Sequence, residues 1–203
     1  MLVGKAGGGA SCRQDDINRL MVGLARDGKR VVRLKGGDPM IFGRAGEEIE
    51  ACRAAGIAVE IVPGISAAQS AAAQLKVSLT HRADARRVQF VTGHDHGGRL
   101  PADIDWQAVA DPKATTIVYM PKRTLREFTE RAIAAGLDPS TPAAVITNVS
   151  RPDQTTVAGE IGDIADRVEL ARLTGPALVM IGHVLANLIS PLASTQAGFL
   201  KAG

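Results

Sequence analysis

The segment richest in chemistry runs Leu34-Lys35-Gly36-Gly37-Asp38-Pro39-Met40-Ile41-Phe42-Gly43-Arg44. An apolar run empties there into a loop that only small residues and a proline permit. Glycines let backbone N–H and C=O groups come close to a ligand, and Asp38 can accept hydrogen bonds from a ribose or an amine. Ligands of open α/β sheets sit at the carboxyl ends of strands, so the loop is placed to line a pocket. Taken alone, Gly-Gly-Asp-Pro is equally a tight turn with a capping aspartate. The longer string carries the specificity.

Other reactive side chains give weaker signals. His94-Asp95-His96 invites a metal reading, but zinc needs three or four converging ligands, and His81 and His183 stand far off without ligand spacing. No metal is expected, and His94 and His96 are taken as loop histidines with ordinary hydrogen bonds. Ser66 lacks a GxSxG elbow, which argues against a hydrolase. Gly7-Gly8-Gly9 follows no strand and opens no helix, so it is a loop and not a phosphate cradle. Lys+Arg number 24 against 21 Asp+Glu, a net +3 that does not by itself imply nucleic acid. Aromatics make up only 3%, too few for base-stacking platforms. Arg44, Arg82, Arg86, Arg87, Lys122 and Arg123 leave room for local contacts to an acidic small molecule, arginine being best suited to bidentate carboxylate pairing.

The elements that must position these residues follow from periodicity. At 45% hydrophobic and 22% charged, the chain suits a folded α/β protein with aliphatic cores. Ile17, Leu20, Met21 and Leu24 predict a helix over Gln14–Asp27, ended by Gly28. Arg30–Lys35 and Ile57–Val62 are strand candidates. Gly46–Ala55 reads as a helix with Glu47 and Glu48 in its first turn, where the helix dipole favours acids. Ser66–Leu75 is an alanine-rich helix with Ser66 as N-cap. This alternation predicts a parallel α/β sheet. Further strands are predicted at Val88–Val91, Thr115–Met120, Ala143–Thr147, Thr155–Val157 and Ala177–Ile181. Helices are predicted at Thr124–Ala135 and Asp163–Leu173, and Asp95–Pro112 as loop. The domain boundary is placed near Arg86, giving domains 1–86 and 87–203. No apolar run approaches the roughly 20 residues that span a bilayer. Cys12 and Cys52, without CxxC spacing, suit a reducing, cytoplasmic compartment.

The string KGGDPxxFGRxxEE, from Lys35 to Glu48, resembles the hallmark of the uroporphyrinogen-III C-methyltransferases within the tetrapyrrole methylase family. Three further segments follow in the family's order: Val62-Pro63-Gly64-Ile65-Ser66-Ala67-Ala68, Leu79-Thr80-His81-Arg82, and Phe90-Val91-Thr92-Gly93-His94. Val3-Gly4-Lys5 resembles the VGKR that precedes the family's first long helix. The resemblance thins after about Met120. It implies two α/β domains with the cofactor between them, a homodimer, and no nucleic-acid or membrane partner. It also implies two methyl transfers from S-adenosylmethionine to uroporphyrinogen III, forming precorrin-1 and then precorrin-2 on the way to sirohaem or cobalamin. Carried over by motif, Gly36, Gly37, Asp38, Ile41, Ser66, Ala67, Met120 and Val149 are the cofactor contacts. Lys5 takes the position of a proton donor, and Arg44 and Arg82 are substrate contacts.

The family pattern also includes an opening strand and a GxGPGDP-like segment, roughly fifty residues ahead of the VGK, judged from the size of a βαβ unit. That segment, with a cofactor-contacting proline and an aspartate proposed as general base, is not in this sequence. The first strand of the N-terminal sheet is therefore expected to be absent, leaving unpaired strand edges and exposed apolar surface. Val149 stands where the family usually has a cofactor-touching glycine, and β-branching restricts its backbone. Two alternatives stand beside the methyltransferase: a non-catalytic homologue that folds, dimerises or binds S-adenosylhomocysteine, and a methyltransferase for a later precorrin. The KGGDPxxFGR string, in place of an SGDPxxYG-like form, argues against the last.

Overall fold

The computed structural model describes Val3 and residues 12–189. The chain divides into two compact units, Met1–Ser66 and Ala67–Gly203.

In the first unit, α1 (Gln14–Arg26) carries Asp15 and Asp16 in its first turn and Arg26 in its last, each charge matched to its end of the helix dipole. α2 (Ala45–Ala54) buries Ala45, Glu48 and Cys52, one face at i, i+3 and i+7. α1 packs on α2 with Ile17 buried. Polar bonds cross the pair: Gln14 Nε2 donates to Glu48 Oε1 at 3.1 Å, and Asn18 Nδ2 to the Glu47 carbonyl at 3.4 Å.

The strands expected at Arg30–Lys35 and Ile57–Val62 do not form: neither segment enters a ladder among the described residues. Their composition suits a strand, but a strand exists only through a partner that takes its backbone hydrogen bonds. Side chains meant for a sheet are left in solvent, with Val32 72%, Leu34 81% and Val62 74% exposed.

The second unit contains a mixed five-stranded sheet; the parallel sheet that the alternation predicts for the first half is not formed there among the described residues. β1 (Arg87–Thr92), β2 (Ala114–Tyr119), β3 (Pro142–Thr147), β4 (Thr155–Glu160) and β5 (Ala177–Ile181) lie in the order β1-β2-β5-β3-β4. β1 and β2 run parallel, Arg87 opposite Ala114 and Thr92 opposite Tyr119. β5 enters antiparallel between β2 and β3, and β4 pairs antiparallel with β3.

Both faces of the sheet are covered, so the central strands read as continuous apolar runs. Ile117, Ala144, Ile146, Leu178 and Met180 point to one side, against Ala68, Ala71 and Ala72 of α3 (Ala67–Leu75) and Leu185. Val118, Val145, Val179 and Ile181 point to the other. There they join Trp106 and Val109 of α4 (Trp106–Val109), Leu125, Phe128 and Ala132 of α5 (Leu125–Ala134), and Ile164 of α6 (Ile164–Ala171). Trp106 tilts against Phe128 at 5.2 Å between ring centres. A 3-10 turn, His183–Leu185, leads into α7 (Ala186–Ile189).

The compact units part at Ser66. The reason is packing: the alanine face of α3 belongs to the core built on β2, β3 and β5.

Candidate functional site

In the first unit the chemistry gathers on two loops. Asp38 uses both carboxylate oxygens. Oδ1 accepts from the Met40 N–H at 2.7 Å, and Oδ2 accepts from the Gly64 N–H at 3.0 Å. The aspartate thus shapes its own turn and ties residues 36–44 to the Pro63-Gly64 turn. Glycine is required at 64 by close approach: a Cβ there would lie 2.6 Å from the Gly37 carbonyl oxygen. Gly43 meets the same constraint, its Cβ position falling 2.4 Å from the Pro39 oxygen. Gly37, Phe42 and Arg44 hold left-handed backbones, with φ of 80°, 50° and 57°.

Gly36, Gly37, Asp38, Ile41 and Arg44 are therefore brought together. Gly36 and Gly37 are exposed, and a Cβ at Gly36 would meet nothing within 4 Å. Met40, Phe42 and Ile65 expose apolar surface beside them. The Arg44 guanidinium donates twice to the Glu47 carboxylate, Nε and Nη2 each at 2.7 Å. That pairing raises its already high pKa and keeps it cationic.

Glu48 departs from its expected place on the helix surface. The sequence reading set it beside Glu47 as a first-turn acid, but it turns inward and is only 5% exposed. Lys35 Nζ lies 2.8 Å from its Oε2, and Arg33 Nε 3.3 Å from its Oε1. The available signal was helical register, since Glu48 shares a face with Ala45 and Cys52.

In the second unit the candidate residues collect where strands end. Met120 follows β2 in a left-handed conformation, φ 58°, and its N–H donates to the Ala177 carbonyl at 3.3 Å. Asn148, following β3, donates likewise to the Pro176 carbonyl at 3.0 Å. Its Nδ2 reaches Asp153 Oδ2 at 2.9 Å, and Gly175 packs so tightly that a Cβ would fall 2.2 Å from Asn148 Oδ1. Asn148 and Ser150 carry positive φ, while Val149 between them does not, and Val149 packs against the α3 side of the core. The Ala68 N–H donates to the Tyr119 hydroxyl at 3.3 Å, which ties the start of α3 to the side chain of the last residue of β2.

Ser66, 3% exposed, closes the first unit. Arg82 lies exposed in a turn bridged by His81 and Ala85, and its carbonyl accepts from Arg86 Nε at 3.2 Å. Lys5 lies outside the described residues. His94 departs from expectation, because its Nδ1 is buried without a hydrogen-bond partner among the described residues. Among the described residues no three His, Cys, Asp or Glu side chains are grouped to hold a metal, and no helix is long and apolar enough to cross a membrane.

A Gly-Gly-Asp turn clamped to a Pro-Gly turn, with no GxGxxG in the sequence, differs from the dinucleotide-binding fingerprint. Residues 4–165 match the model for Tetrapyrrole (Corrin/Porphyrin) Methylases, and the chain belongs to that family. A siroheme synthase of Chromobacterium violaceum is 45% identical over 183 residues, covering 90% of this chain and 38% of that protein. An Arabidopsis thaliana protein named S-adenosyl-L-methionine-dependent uroporphyrinogen III methyltransferase, chloroplastic, is 41% identical over 192 residues, covering 95% of this chain and 52% of that one. Among solved structures, a uroporphyrin-III C-methyltransferase from Thermus thermophilus complexed with S-adenyl homocysteine superposes with a TM-score of 0.73 at 34% identity. That match covers 85% of this chain and 74% of the other. The chain spans about half, or less, of the length of the curated relatives it matches.

Proposed function

We propose that this chain transfers methyl groups from S-adenosylmethionine to uroporphyrinogen III, forming precorrin-1 and then precorrin-2, as a cytoplasmic homodimer. The observation that carries the reading is the pair of loops joined through Asp38, whose exposed glycines leave backbone donors and acceptors open to a ligand. A cofactor with an adenosine at one end and an amino acid at the other suits such a surface, with Met40, Phe42 and Ile65 as apolar neighbours. Free thiols at Cys12 and Cys52 suit a reducing compartment.

Gly36, Gly37, Asp38 and Ile41 in the first unit, with Ser66, hold the cofactor. Ala67, Met120 and Val149 do so in the second. The bound cofactor supplies an electrophilic sulfonium methyl group. The chain's own residues bind and orient, and positioning provides most of the acceleration when a reactive methyl faces an electron-rich carbon. Arg44 and Arg82 present guanidinium forks to substrate carboxylates; each transfer of CH3+ leaves neutral S-adenosylhomocysteine and releases one net proton from the substrate, and Lys5 takes the position that the family resemblance gives to a proton donor.

The test is an anaerobic incubation with uroporphyrinogen III and methyl-labelled S-adenosylmethionine, followed by mass spectrometry. Sequential gain of one and then two methyl groups is expected. S-adenosylhomocysteine binding without any transfer would refute catalysis and favour the non-catalytic homologue. Exclusive methylation of a later precorrin would refute the substrate.

A further inference from the structure

The Glu48 carboxylate receives more donors than an ordinary helix-capping acid. Oε2 accepts from Lys35 Nζ at 2.8 Å, and Oε1 accepts from Gln14 Nε2 at 3.1 Å and Arg33 Nε at 3.3 Å. The pair is withdrawn from water: the side chains of Lys35 and Glu48 are 12% and 6% exposed. Lys35 does more than neutralise the acid, since its Nζ also donates to the Gly43 carbonyl at 2.5 Å. Lys35 directly precedes Gly36-Gly37-Asp38, and Gly43 ends the same loop. One ammonium therefore closes the loop at its two ends, and Glu48 fixes where that ammonium sits.

The loop needs such a closure. Phe42 and Arg44 are held at φ 50° and 57°, conformations that L-residues avoid and that persist only where the surroundings over-determine them. Asp38 fixes the middle of the loop and Lys35 its ends.

We propose that Glu48 is a positioning residue which, through the Lys35 ammonium and the Gly43 carbonyl, sets the shape of residues 36–44 and so the affinity for the adenosyl cofactor. The inference rests on the reading of these residues as a cofactor loop. A purely structural buried ion pair behaves differently, because an apolar pair of similar volume often replaces it without loss of stability. Such a replacement would still remove the donor from Gly43.

The experiment compares the unsubstituted chain with Glu48→Gln and with the double substitution Lys35→Met, Glu48→Leu. S-adenosylhomocysteine affinity is measured by calorimetry well below each thermal midpoint, and amide exchange over 36–44 by mass spectrometry. Glu48→Gln should weaken binding roughly ten- to hundred-fold, the scale of a lost charge-assisted hydrogen bond. The double variant should recover the thermal midpoint but neither the affinity nor the protection of the loop. If Glu48→Gln does not fold, the double variant alone decides. Affinity within about two-fold of the unsubstituted chain in a folded variant, or affinity recovered together with stability, overturns the proposal. Failure of the unsubstituted chain to bind S-adenosylhomocysteine overturns the cofactor-loop reading itself, and this proposal with it, which is a distinguishable result.

Discussion

Gly64→Ala tests most directly whether the two loops must touch. The added methyl would sit 2.6 Å from the Gly37 oxygen, 3.1 Å from the Gly37 carbon and 3.2 Å from the Asp38 Cα, all of them backbone atoms. No side chain can swing away, so the loops must part by about 0.6–0.8 Å to restore ordinary contact distances. The Asp38 to Gly64 hydrogen bond, now 3.0 Å, would stretch to about 3.6 Å or more, where it no longer counts as a bond. A hydrogen bond to a charged group contributes about 1.5–3 kcal/mol. Partial exposure of this one reduces the expectation to about 1–2 kcal/mol, or roughly five- to thirty-fold in affinity. Calorimetry with S-adenosylhomocysteine should show that loss. Asp38→Asn, which turns an amide NH2 toward one of the two N–H donors, should show a similar one without any steric overlap. Gly23→Ala is the control: Gly23 lies exposed within α1 with nothing within 4 Å of its Cβ position. It should leave binding unchanged and stabilise by about 0.5–1 kcal/mol. Gly64→Ala binding within about two-fold of the parent would refute the claim that close approach shapes residues 36–44 for the proposed cofactor.

Arg44→Ala should raise the KM for uroporphyrinogen III while leaving S-adenosylhomocysteine affinity within about two-fold; equal loss of both would remove Arg44 from the substrate contacts. Met120→Gly relieves a left-handed backbone, so it should stabilise the fold by about 1 kcal/mol, seen as a higher thermal midpoint, while weakening cofactor binding. A midpoint that falls would show that the Met120 side chain contributes more than its strain costs. Burial pushes the Glu48 carboxyl up, but hydrogen bonds from Lys35 and Gln14 and the charges of Lys35 and Arg33 hold it below its usual value. Its ionised form therefore contributes stability above about pH 4.3, the ordinary glutamate value, and that contribution is lost as pH falls through the lower folded-state value. Denaturant titrations between about pH 6 and 3 should show a shallower acid loss in Glu48→Gln; parallel curves would contradict the shift.

Elements whose signal is local were legible in the sequence. α1, α2 and α3 start and stop close to where periodicity and the glycines at 28 and 56 place them. β2 and β5 follow their apolar runs. Pairing was not legible, because a strand's sequence records that both its faces are buried and not which neighbour it meets. Nothing in Ala177–Ile181 announces that it runs antiparallel between β2 and β3. α4 escaped detection because four residues hold no periodicity, although Asp105, whose side chain accepts from the Ala108 N–H at 3.0 Å, is a recognisable cap. Arg30–Lys35 and Ile57–Val62 show the converse error: strand composition was present, and the partner that would make a strand was not among the described residues.

At two of the motif residues the structure adds contacts that the sequence does not disclose. Asp38 was set toward a ligand, yet its two oxygens already hold Met40 and Gly64. Each carboxylate oxygen has a second lone-pair direction, so the same residue can shape the loop and still receive a ligand donor. Val149 looked costly in place of glycine, yet the left-handed positions are its neighbours Asn148 and Ser150. Asparagine tolerates that region better than a β-branched residue does, and valine at 149 bears no such strain. The non-glycine residues with positive φ fall into two sets. Lys76 and Arg172 follow the ends of α3 and α6, where a left-handed residue commonly terminates a helix. Phe42 and Arg44 close the 36–44 loop, Arg44 as the N-cap of α2, and Met120, Asn148 and Ser150 follow the ends of β2 and β3. Such backbones persist only where the surroundings over-determine them, and around Phe42 and Arg44 the contacts of Asp38 with Gly64 and of Lys35 with Gly43 supply that constraint.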